Sequence, residues 1–397
     1  MISNAGLLLA SILAACIFFH PRVLGSRLWR ATVTPLASII GSGFLVAGPI
    51  LAGTFSGAAW LAMLALCLVG YLYGAVMRHN IRYVEPNLGA LPPTAALIER
   101  ACDLVLSLAY FVSVAYYLNL FAAFGLRIVG VEDRFSVRIV ASVAIATVGL
   151  IGLSGGLRAL ERIEVNAVGL KLSVIFGIIV ALILFASTYH PVSAQVESQA
   201  GFGKFQILLG LIVLVQGFET SRYLGAEYNL ETRIRTMRYA QLISTFVYVG
   251  FVFLVTHLFC DRPQAIGGET AIIDMLRPVG AAVAPLLIAA ALASQSSAAI
   301  ADMNGASGLL AEATHSRISV NAGSLVTALV AIGITWGASI YEIITYASKA
   351  FVAYYALQSL QAILSSLRRN QFAKAAMFAA GLLIAVCVML LGKPVAS

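Results

Sequence analysis

The feature that most constrains this chain is a succession of apolar stretches, each about long enough to cross a bilayer. A helix needs roughly 20 apolar residues to span the hydrocarbon core. Windows of that length find twelve stretches in the 397 residues, near 2–19, 31–50, 55–76, 97–125, 136–155, 163–187, 206–228, 236–259, 279–311, 319–338, 340–366 and 372–392. Only 11% of the residues are charged and 60% are hydrophobic, whereas a soluble domain carries about 25% charged residues. Such a chain has too little polar surface to cover itself in water, so lipid is its solvent. Within lipid every backbone polar group must be paired inside the protein. The long apolar runs meet that demand as helices, which gives an all-α membrane protein of about 12 transmembrane helices, multi-pass in the cell's inner (plasma) membrane.

The net charge of +8 does not point to nucleic acid, because the basic residues lie in short loops between apolar stretches instead of forming one basic face. They report orientation. With the N-terminus outside, fifteen of the 25 Lys and Arg fall on the cytoplasmic side, against seven outside and three (Lys171, Arg222 and Lys349) within spans. Both termini are therefore expected outside. Leu13-Ala14-Ala15-Cys16 fits a lipoprotein cleavage pattern, but no basic residue precedes that apolar run, and a retained helix is expected. The five cysteines have no metal-ligand spacing.

Setting the first helix aside (residues 1–28) leaves core helices 1 to 11. Core helices 1 and 6 then start on opposite faces, so residues 29–190 and 191–367 run in opposite senses, with residues 368–397 trailing. Core helix 1 contains Pro35 and Gly41-Ser42-Gly43-Phe44, and core helix 6 contains Gln216-Gly217-Phe218-Glu219 with Arg222 a turn later. Small residues in a membrane helix also serve close helix packing. Interruptions at matching positions of two opposed halves point instead to a transporter binding site.

Gly41-Ser42-Gly43-Phe44 with the later Pro49, Gly217-Phe218-Glu219, and Tyr354-Tyr355 followed by Leu357-Gln358 resemble the first, sixth and tenth helices of the amino acid–polyamine–organocation (APC) transporters. The resemblance runs over about residues 29–392. It implies a leucine-transporter-like five-plus-five inverted repeat, with a small amino-acid-like substrate held between broken helices 1 and 6. The implied substrate-binding set is Ile40, Gly41, Ser42, Gly43, Phe44, Tyr116, Val213, Gln216, Gly217, Phe218 and Glu219. The amides of Ser42, Gly43 and Phe44 would receive a carboxylate at the positive end of a half-helix, and carbonyls near Gln216 and Gly217 would receive an ammonium. Many amino-acid members carry a gating aromatic where this chain has Val213.

Lys171 lies in core helix 5. It snorkels to the surface or fills a functional site. In the sodium-independent branch of the resembled family, a lysine here replaces sodium between helices 1, 5 and 8. Ala293, Ser296 and Ser297 match the second sodium site of sodium-coupled relatives, whose oxygens accept hydrogen bonds from an ammonium equally well. Lys171 is the expected occupant, with a proton possible as the coupling ion and Na⁺ the alternative. Glu219 and Arg222, three apart, are placed to pair on one face. No nucleophile–base pair or metal cluster sits at membrane depth, so no catalytic residue, metal or cofactor is expected. Neither a carbonyl filter nor a ring of like charges favours a channel. The expectation is a secondary transporter of amino acids or related amines.

Overall fold

The computed structural model describes the backbone of residues 2–41, 43–154, 157–188, 201–259 and 268–395, and their side chains except at 2, 3, 157–167 and 226. Every regular element among the described residues is helical. In chain order the α-helices are α1 (Ile2–Phe18), α2 (Pro21–Leu24), α3 (Arg27–Ile39), α4 (Gly43–Phe55), α5 (Ala59–Tyr83), α6 (Pro93–Leu126), α7 (Arg134–Leu153) and α8 (Leu157–Ala186). There follow α9 (Phe202–Gly210), α10 (Thr220–Tyr223), α11 (Leu230–Phe259), α12 (Ala271–Leu276), α13 (Val283–Ala313), α14 (Val320–Gly337), α15 (Ile340–Arg368) and α16 (Phe372–Leu391).

Nine stretches among the described residues are helices long and apolar enough to cross a membrane, where the sequence suggests twelve. The difference has physical causes. The first stretch forms α1, a helix of 17 residues, about 25 Å long against a hydrocarbon core of roughly 30 Å. The stretches at 31–50 and 206–228 are both interrupted. One breaks between Ile39 and Gly43; the other is non-α-helical from Leu211 to Glu219, apart from a single 3-10 turn at Ile212–Val215.

The outer surface matches a lipid solvent. Phe246 is 80% exposed and Leu390 75% exposed on the flanks of spanning helices, positions where hydrocarbon takes the place of a protein core. Inside, α13 packs along α6 and α8, α15 along α6 and α16, and α11 along α3 and α5. The aromatic rings of Phe44 and Phe251 meet at 4.1 Å, joining α4 to α11. The leading helix α1 lies along α8, and Phe18 stacks on Trp29 with centroids 5.4 Å apart. Several helix ends are capped locally: Ser339 and Glu342 form a reciprocal capping box at the start of α15, and Asp133 caps α7 by accepting from the Ser136 amide at 2.8 Å. At the two breaks, by contrast, several backbone groups are met by side chains from other helices.

Candidate functional site

The breaks cross backbone against backbone. A β-carbon on Gly43 would lie 2.7 Å from the Leu214 carbonyl oxygen and 2.9 Å from its Cα. One on Gly217 would lie 2.6 Å from the Ser38 carbonyl carbon and 2.7 Å from the Ile39 nitrogen. Gly217 also holds φ +115°, a conformation that L side chains resist. Glycine at these two positions is what lets the interruptions touch.

An interruption strands amides and carbonyls where lipid cannot solvate them, so each needs a partner. At the first break Lys171 Nζ on α8 donates to the Ala37 carbonyl at 2.8 Å, and the Tyr248 hydroxyl on α11 donates to the Ile39 carbonyl at 2.9 Å. At the second break Ser348 on α15 serves two groups. Its hydroxyl donates to the Gly210 carbonyl at 2.7 Å and accepts from the Val213 amide at 3.0 Å. Glu219 Oε2 accepts from the Gly217 amide at 2.9 Å and from the Tyr355 hydroxyl at 2.9 Å. Gln216 Nε2 donates to the Tyr117 hydroxyl at 3.2 Å. Glu219 Oε1 and Gln216 Oε1 are buried with no hydrogen-bond partner among the described residues.

On one side of this crossing a cavity of about 440 Å³ opens, bounded by α3, α6, α8, α10 and α13. It is lined by Ser38, Lys171, Ser294 and Asp302, with Thr220 and Tyr223 from α10, Tyr110 from α6 and Glu312. Lys171 donates to the Ser294 hydroxyl at 3.3 Å, and Asp302 accepts from Ser113 on α6. Beside the cavity Arg222 of α10 pairs with Glu99 of α6 at 2.5 Å. Arg233 of α11 donates to the Arg222 carbonyl at 2.9 Å and to Glu85 at 2.5 Å. These links tie the short α10 to three neighbouring segments.

Several sequence expectations change on this geometry. Ile40, Gly41, Gly43, Phe44, Tyr116, Val213, Gln216, Gly217, Phe218 and Glu219 come together at the crossing but are buried, and none lines the cavity. The space foreseen between helices 1 and 6 is filled by the contact of the breaks themselves, while Ser42 lies outside the described residues. Arg222 does not pair with Glu219, because α10 turns its guanidinium to Glu99 while Glu219 turns to Tyr355. Of the expected coupling set, Lys171 lies against helix 1 and donates to the hydroxyl of Ser294, which was not in that set. Ser296 spends its hydroxyl on the Leu292 and Ala293 carbonyls of its own helix, and Ser297 lines the cavity.

Sequence reading missed Ser294, Tyr248 and Ser348. For Ser294 a signal exists: Ser294, Ser297, Ala301, Asn304, Gly308 and Glu312 recur every three or four residues and all line the cavity, the spacing of one helix face. Tyr248 and Ser348 carry no comparable pattern.

Comparison with known proteins agrees with an assignment to transport. A family model described as "APC superfamily transporter" matches residues 21–392. A protein from Aquifex aeolicus (strain VF5), described as "Uncharacterized protein", is 38% identical over 391 residues, covering 97% of this chain and 95% of its own length.

Proposed function

We propose that this chain, which belongs to the APC superfamily of transporters, moves amino acids or related amines across the inner membrane by alternating access and without sodium. Its many apolar helices make it a multi-pass membrane protein. The finer architecture in this reading is a five-plus-five inverted repeat over residues 29–190 and 191–367, with α3–α4 as helix 1 and α9–α10 as helix 6. In this reading both termini lie outside and the Lys171 cavity faces the cytoplasm, which the excess of basic residues in alternate loops supports.

The observation that carries the reading is the bond from the Lys171 ammonium to the Ala37 carbonyl at the end of α3, 2.8 Å long. The C-terminal end of a helix segment carries partial negative charge and favours a cation. An ammonium already there opposes a second cation by about 4 kcal/mol at a separation of 4 Å and an effective dielectric constant of 20. Sodium then has no place in the site, and the ammonium takes its structural role. A proton or an exchanged substrate is left as the coupling partner. The competing reading is a sodium-coupled symporter of the same fold; what favours it is that Ser294 and Ser297 bring hydroxyl oxygens to the same cavity.

Transport in this account requires the crossing to open. A substrate carboxylate then meets the amides at the start of α4, at Gly43 and Phe44, where a half-helix presents its positive end. The substrate ammonium meets the carbonyls around Gln216 and Gly217, with the buried Glu219 carboxyl beside them. A thermal-shift screen of amino acids and amines on purified protein tests this directly, since a ligand that binds only the folded state raises the melting temperature. Amino acids or amines that raise it and show saturable counterflow in proteoliposomes support the reading. Ion conductance without saturable exchange contradicts it.

A further inference from the structure

Beyond α16 the chain turns back onto the protein. The Gly392 amide still bonds to the Val388 carbonyl at 3.0 Å, and the Lys393 amide then donates to the Gln206 carbonyl of α9 at 3.0 Å. Val395 is partly buried against the apolar core. The Lys393 carbonyl passes directly over Gly210, so that a β-carbon on Gly210 would overlap that oxygen. Gly210 is the last residue of α9, and its own carbonyl is held by Ser348 at 2.7 Å. Residues 393–395 therefore lie across the end of a half-helix, at the point where helix 6 stops. They also reach the other broken helix: Val395 shares a hollow of about 420 Å³ with Pro49 and Ile50 of α4 and Ile207 of α9.

We propose that residues 392–395 form a strap that holds α9 against α16 and biases the protein toward the state with the Lys171 cavity open. The inference rests on the alternating-access reading, in which α4 and α9 are the halves that part when the opposite face opens. Moving α9 away from α16 breaks the bond from Lys393 to Gln206 and uncovers Val395. A ligand-free two-state equilibrium shifts by the free energy of the contacts made in only one state. One hydrogen bond and one partly buried valine together correspond to about a tenfold change in such an equilibrium. The strap leaves the cavity and the crossing untouched, so it sets the balance between states without altering the site.

Pulsed electron–electron distance measurement on the purified full chain tests the strap. Spin labels on cysteines replacing Phe205 of α9 and Phe135 of α7, in a background free of native cysteines, occupy exposed positions. Removing residues 392–397 is expected to raise the minor, displaced population of distances about tenfold relative to the major one. Val395→Asp keeps the chain length, disrupts the apolar contact alone, and is expected to shift the populations in the same direction. It decides the matter if the shortened chain does not fold. Distance distributions that superimpose on the parent's in the folded variants overturn the strap. Counterflow by the parent is measured separately: superimposed distributions with saturable counterflow reject the strap alone, whereas absent counterflow bears on the transport reading and leaves the distance result standing.

Discussion

The two interrupted helices solve one problem in different ways. The break between α3, which ends at Ile39, and α4, which starts at Gly43, is short, and its stranded carbonyls are met by long side chains from other helices: Lys171 at Ala37 and Tyr248 at Ile39. The break between α9 and α10 runs over nine residues, 211–219. Its groups are met through Ser348 of α15 at both Gly210 and Val213 and, from within the break, through Glu219 folding back on the Gly217 amide. The first depends on a cation brought across from α8. The second depends on hydroxyls from α15 and on its own carboxyl. A charge that alters the first acts on the cavity at once, whereas the second behaves as a stitched joint whose strength is set by neutral hydrogen bonds and one buried acid.

Substitution at the crossing itself gives the largest effect. Gly217→Val combines a positive φ with a β-carbon 2.6 Å from the Ser38 backbone, and is expected to cost about 3 kcal/mol or more and to abolish uptake. Gly41→Ala requires no positive φ and meets the Ser38 carbonyl oxygen at 3.0 Å and the Tyr117 hydroxyl at 3.7 Å, and is expected to cost less than Gly217→Val, about 1–2 kcal/mol. Thermal unfolding in detergent ranks the two; equal losses would deny that the second break is the tighter one.

How much of this was legible in the sequence depends on whether a residue signals alone. Gly41-Ser42-Gly43 in an apolar run marks an interruption by composition, and so does Gly217. The length of the second break does not show, because Ile212–Val215 reads as ordinary membrane helix, and the Ser348 hydroxyl that takes up the Val213 amide comes from 135 residues away. A serine or tyrosine in an apolar helix has no signature until its partner is known. The pairing of Arg222 with Glu99 spans 123 residues, while Glu219, three residues away, looked the nearer choice. The periodic face of α13 was readable, but Ser296 and Ser297 drew attention from Ser294 one turn earlier.

Smaller changes sharpen the contrast between the breaks. Ser348→Ala leaves both the Gly210 carbonyl and the Val213 amide without their partner, and is expected to cost about 2 kcal/mol. Tyr248→Phe leaves only the Ile39 carbonyl, with an expected loss of about 1 kcal/mol. Melting temperatures of the two variants check the order, and a larger loss at Tyr248 would reverse the assignment of the stitched joint.

The smallest effect lies away from both breaks and calibrates them. Hydrogen bonds from Ser136 hold the Asp133 carboxyl below the usual carboxylate range. A depressed folded-state value contributes stability above the unfolded value and loses it as pH falls through the folded one. The gap in melting temperature between the parent and Asp133→Ala should therefore be present at neutral pH and close in acid. A gap that persists at a pH below the folded value would mean that the cap acts without its charge.

The central claim is that the Lys171 ammonium takes the place of sodium at the end of α3. Uptake of radiolabelled amino acids and amines into proteoliposomes, with Na⁺ replaced by choline and with Lys171→Ala beside the parent, tests it most directly. The account predicts that the parent transports equally well in choline and that Lys171→Ala loses most of its uptake, because the Ala37 carbonyl and the Ser294 hydroxyl lose their donor. Strict dependence on Na⁺ in the parent, with Lys171→Ala still active, would contradict it.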